Sequence, residues 1–99
     1  MTRSVRARRF PLRLPLVFRT GADEPWRRAV TMSISDRRLS FVTKRKLEAG
    51  DGLEMRFVVR VSSARSEVNC TGRVVRGERS AEGVTYTATI DQYRFVKVR

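Results

Sequence analysis

Leu53-Glu54-Met55-Arg56-Phe57-Val58-Val59-Arg60-Val61 decides the fold of this 99-residue chain. Leu53, Met55, Phe57, Val59 and Val61 alternate with Glu54, Arg56, Val58 and Arg60. A period of two places one set on each face of a pleated strand. The result is a half-buried antiparallel strand, with Arg56 and Arg60 on its solvent side. The same alternation recurs on both sides of it. After a polar turn at 62–66, Val68, Cys70, Gly72 and Val74 alternate with Asn69, Thr71 and Arg73. A charged loop is expected at 76–83, bounded by Gly77 and Gly83, before Val84, Tyr86, Ala88 and Ile90 alternate with Thr85, Thr87 and Thr89.

Towards the N-terminus, Leu14, Leu16 and Phe18 read as a first strand, which Pro11 and Pro15 place at an edge. The segment 20–25 is a loop by its turn residues. From Trp26 to Ser35 alternation sets Val30, Met32 and Ile34 on one side and Thr31, Ser33 and Ser35 on the other. Asp36-Arg37-Arg38 is a turn, and Leu39 and Phe41 begin the next strand. Residues 44–52 form a charged connection too short for more than a helical turn. Tyr93, Phe95 and Val98 mark a short extra strand or a docking tail. Six or seven short strands with turns between them and no helix indicate an all-β barrel or sandwich. At this length closure into a six-stranded antiparallel β-barrel best removes exposed edges. Residues 1–8 are expected to be a flexible basic arm, and 9–99 a single domain.

Composition narrows the function. Net charge is +12, and lysine occurs only at Lys44, Lys46 and Lys97, so the basic residues are overwhelmingly arginine. A guanidinium forks onto phosphate and stacks on flat rings, which fits a phosphate-bearing partner. A high-GC genome yields the same bias at solvated positions. The chain has no histidine, which removes Ser/His and Cys/His catalysis and most zinc sites. Its ten acidic residues form no evident pair. A non-enzymatic protein without a cofactor is therefore expected. Cys70 is the sole cysteine, which fits a reducing, cytoplasmic setting, and its register makes it a small core residue. No apolar run is long enough for a membrane helix, so no membrane insertion is expected.

Two segments carry a resemblance to a known family. Arg9-Phe10-Pro11-Leu12-Arg13 stands just before the first strand, and Ser33-Ile34-Ser35-Asp36-Arg37-Arg38 lies at the turn after the second. In that order they resemble the RxxxR and D/N-x-S-x-x-G segments of PilZ domains. Ala49-Gly50-Asp51, Gly72-Arg73-Val74-Val75 and Gly83-Val84-Thr85-Tyr86 are also similar, and the resemblance covers roughly residues 8–95. It implies a PilZ-like β-barrel that binds the bacterial second messenger cyclic di-GMP. Arg9 and Arg13, with Arg8 as a third candidate, would grip phosphate or guanine. Ser35 matches the family serine. Ser33 stands where the family has Asp or Asn, and Arg38 where it has glycine. Serine cannot make a bidentate contact to a guanine edge, and arginine at a turn glycine introduces strain or blocks the ligand. Losing two polar contacts weakens binding by about 2–4 kcal/mol. Compensation would come from Asp36, as a carboxylate for a guanine edge, and from Arg37 and Arg38, as grips for phosphate.

Three readings follow. The first is a cyclic di-GMP receptor or adaptor of the PilZ type, in which the ligand orders the arm and creates a surface for an unidentified protein partner. The second is a ligand-independent PilZ-like protein-interaction module. The third is a small basic barrel of the OB type that binds nucleic acid, for which Trp26, Phe41, Tyr86 and Tyr93 would be the stacking residues. Nucleic acid is the least favoured partner, because Phe41 and Tyr86 fall on the apolar register.

Overall fold

The computed structural model describes residues 10–11, 13–61 and 63–98. The described residues form eight strands and no helix: β1 (Phe10–Pro11), β2 (Pro15–Arg19), β3 (Arg27–Ile34), β4 (Arg38–Thr43), β5 (Gly52–Val61), β6 (Ala64–Ser80), β7 (Gly83–Thr89) and β8 (Gln92–Val98). The sheet runs β3-β2-β5-β6-β7-β4 and closes through the β3–β4 pairing, every neighbour being antiparallel. The expected six-stranded antiparallel barrel is therefore present. β1 adds to β3, and β8 adds to β6.

The alternating residues fill the barrel. Leu16, Phe18, Leu39, Phe41, Leu53, Met55, Phe57, Val68, Cys70, Val74, Tyr86 and Ala88 are all buried in one cluster. At its centre Phe41 is fully buried, with the Phe18 ring 5.2 Å and the Tyr86 ring 6.0 Å away. Tyr86 has a second role. Its hydroxyl accepts the Leu47 N–H at 2.7 Å and donates to the Leu47 carbonyl at 3.2 Å. That pins the 44–51 connection, which is irregular rather than helical, and drives Leu47 into the end of the core. Cys70 is buried, as its register implied, and burial pushes its thiol up to about 11.

Four expectations are corrected. The charged stretch at 76–80 is strand rather than loop: β6 runs on to Ser80 and pairs with β7 from Arg76↔Thr87 to Ser80↔Gly83. Backbone ladders need no apolar side chains, so composition concealed it. The turn before β6 is equally tight, with Val61↔Ala64 as its last pair. β2 is not an edge; it lies between β3 and β5. Pro15 is tolerated as its first residue, paired with Val30, while pairing with β5 begins only at Leu16. Finally, Thr31 rather than Val30 faces the core. The β3–β4 register shifts between Thr31 and Ser33, so Ala29 and Thr31 point inward before the bulge and Ile34 packs on the core after it. Burial of the Thr31 hydroxyl is compensated, since its Oγ1 accepts the Leu14 N–H at 2.8 Å.

Candidate functional site

The bulge in β3 prepares the turn that follows it. Having switched faces, the strand turns Ser33 outward and enters a two-residue hairpin between Ser35 and Arg38. The Ser35 N–H donates to the Arg38 carbonyl at 2.8 Å. The Ser35 hydroxyl accepts the Arg38 N–H at 3.1 Å and lies 3.3 Å from the Arg38 carbonyl. A short hydroxyl that bonds nearby backbone is what serine offers at a turn. The far side is anchored too, because the Arg37 carbonyl accepts the Ile90 N–H at 2.8 Å. Asp36, Arg37 and Arg38 are all exposed at the tip.

Arg38 does not strain this turn. It is the first residue of β4 and pairs in register with Thr89, in extended backbone that any residue adopts. The glycine expected for a left-handed conformation is not needed there. The penalty expected from Arg38 thus reduces to its bulk and charge at the rim.

The structure brings the two signature segments together. Phe10 pairs with Ile34 and Pro11 with Ser33, so the middle of the RxxxR segment lies along the end of β3. Arg8 and Arg9 lie outside the described residues. Arg13 is described, half-exposed, with its guanidinium 3.3 Å from Glu82 in the β6–β7 turn. An ion pair this exposed contributes on the order of 0–1 kcal/mol, so it is readily exchanged for a phosphate.

Sequence reasoning missed the floor of the site. Cross-strand partners share a face, and Ser33, Ser40, Thr87 and Arg76 stand opposite one another in a row across β3, β4, β7 and β6. This row is on the outer face, because the neighbouring row of Ile34, Leu39, Ala88 and Val74 packs on the core. Ser40 and Thr87 are nearly buried, and their hydroxyls lie 3.4 Å apart. A strip of hydroxyls thus runs between the exposed Arg38 at one side and Arg76 at its end. Sequence marks Ser40 only as a residue between two core positions, Leu39 and Phe41, and Thr87 only as one on the solvent register of β7; nothing local pairs them. Along the same outer face, a groove of about 560 Å³ is lined by Arg13, Pro15, Val30, Val42, Lys44 and Glu82. Hydroxyl donors with guanidinium groups at the rim suit an anion, above all a phosphate.

Of the aromatics offered for nucleic-acid stacking, two are removed by burial. Phe41 and Tyr86 are core. Trp26 is at the far end of β3, where the guanidinium carbons of Arg19 and Arg56 each lie 4.4 Å from its ring centre. Trp26 and Tyr93 both line a groove of about 330 Å³ with Arg56 and Arg94, outside the core that holds Phe41 and Tyr86.

No family model matches the chain, and no curated protein matches it. Among solved structures it is similar to the Bacillus subtilis inhibitor of motility (MotI/DgrA), with a TM-score of 0.79 at 13% sequence identity. The alignment covers 95% of this chain and 45% of that one, so this chain spans less than half of that protein's length. The likeness is one of fold.

Proposed function

We propose that this chain is a non-enzymatic, cytoplasmic receptor or adaptor of the PilZ type, and that it binds cyclic di-GMP at the seam between β1 and the end of β3. One observation carries the reading: the pairing of Phe10 with Ile34 and Pro11 with Ser33 sets the arginine segment against the serine turn. The resemblance assigns Arg9 and Arg13 to the ligand's phosphates or guanines, and Arg13 would exchange its Glu82 partner for that role. Ser33 and the strip beyond it supply hydroxyls, Arg38 supplies charge at the rim, and Asp36 is the carboxylate available to a guanine edge. Guanidinium groups contribute most, since bonds to charged groups are worth about 1.5–3 kcal/mol each.

A second reading has its own support. The Ser35 hydroxyl is already engaged with Arg38, and Arg13 with Glu82. A barrel whose site groups satisfy one another is what a ligand-independent interaction module would show.

Calorimetric titration of the full chain with cyclic di-GMP, with GTP as control, separates the two. The receptor reading predicts saturable, micromolar binding that weakens by about a hundredfold or more in an Arg9→Ala/Arg13→Ala variant. Absence of heat from a folded sample, or equal binding by the double variant, would contradict it and favour the interaction module.

A further inference from the structure

Among the described residues, β8 leaves one edge of the sheet unpaired. It pairs with β6 from Arg65↔Val98 to Thr71↔Gln92, and with no other described strand. The register also carries the core face of the sheet past the barrel. Met55, Cys70 and Tyr93 stand in one row across β5, β6 and β8, and Phe57, Val68 and Phe95 in the next. The first two members of each row are buried, whereas Tyr93 is 59% and Phe95 61% exposed. The two rings meet edge to face, with centres 5.7 Å apart. On the opposite face Val96 and Val58 are also exposed, on either side of Glu67.

An apolar strand with an unpaired backbone edge is a template for strand addition, and native proteins usually blunt such edges. Charge selects what can add. A second copy would bring +12 against +12, and the exposed Arg94 lies on β8 itself, with the exposed Arg65 on the neighbouring β6. An acidic chain gains where a copy of this one is repelled.

We propose that the free edge of β8 is a docking strand for an acidic, extended segment of a partner protein. The segment adds antiparallel or parallel beside β8 and lays alternate apolar side chains over Tyr93 and Phe95, while its acidic residues face Arg94 and Arg65. Main-chain bonds hold it, and the two rings set its register. This surface is separate from the serine turn and stands whether or not cyclic di-GMP binds.

The test uses the full chain and a capped, fluorescein-labelled ten-residue peptide of alternating glutamate and valine, followed by fluorescence anisotropy. A matching peptide with lysine for glutamate is the control. The acidic peptide is expected to bind and the basic one not. Affinity is expected to fall about tenfold or more in Tyr93→Thr/Phe95→Thr, which removes the rings but keeps strand propensity, and in Arg94→Glu. Thermal melts of the variants should match wild type, because all three side chains are exposed. Failure of the acidic peptide to bind, binding indifferent to the β8 variants, or equal binding of the basic peptide would overturn the proposal. So would sedimentation as a dimer that the ring variant abolishes, which would make a second copy the occupant.

Discussion

Gly72→Ala is expected to destabilise the barrel by about 3 kcal/mol or more, with the unfolding midpoint lowered by roughly 12 °C or more. A Cβ on Gly72 would overlap the Thr89 carbonyl oxygen and stand 2.8 Å from its carbon. Those are backbone atoms, which no rotamer change can move aside. Gly72 lies where β6 changes partners: Thr71 is the last residue paired with β8, and Val74 the first paired with β7. The connecting residues 90–91 cross close to the sheet there, tied by Asp91 N–H to the Thr71 carbonyl at 2.8 Å and by Arg73 N–H to Thr89 Oγ1 at 3.0 Å. A methyl group at position 72 forces the strands apart and loosens both bonds, each worth about 1 kcal/mol. Denaturant unfolding followed by the fluorescence of Trp26, the sole tryptophan, measures the loss. A midpoint unchanged from wild type would show that the crossing is not as tight as described.

Phe41→Ala is expected to cost about 3–5 kcal/mol. The ring is fully buried between Phe18 and Tyr86, so truncation opens a cavity at the centre of the core. Damage should spread, because Tyr86 holds Leu47 through both bonds of its hydroxyl. A domain of this size has about 5–15 kcal/mol of stability in total, so the variant would be marginal at room temperature. Phe41→Leu keeps most of the volume and should lose clearly less. Equal losses for the two substitutions in chemical denaturation would contradict a close-packed aromatic centre.

Much of the fold was legible because period-two alternation is a direct imprint of a half-buried sheet. The runs at 53–61 and 84–89 carry it cleanly, and both lie within strands. It fails where backbone pairing needs no apolar side chains, as at Arg76, Glu78 and Arg79 in the second half of β6. It also fails at a bulge: one extra residue near Met32 reverses the faces of β3, so Thr31 is buried where Val30 was expected. Of the candidate site, the turn at Ser35–Arg38 was visible in its residue types. Its union with Phe10 and Pro11 rested on motif order alone, because no local pattern reports a pairing between residues more than twenty positions apart. The hydroxyl strip was hidden for a similar reason. Ser40 and Thr87 are 47 positions apart and become neighbours only when β4 meets β7. Alternation marked Tyr93 and Phe95 as a strand, but period alone cannot say whether anything covers it.

The site itself is tested most directly by mapping backbone amide chemical shifts of the folded chain during titration with cyclic di-GMP. The largest changes are expected at Phe10, Arg13 and Ser33–Arg38, with smaller ones at Ser40 and Thr87 and none at Tyr93 or Phe95. Changes centred elsewhere, or an unchanged spectrum at saturating ligand, would contradict the placement of a nucleotide at this seam.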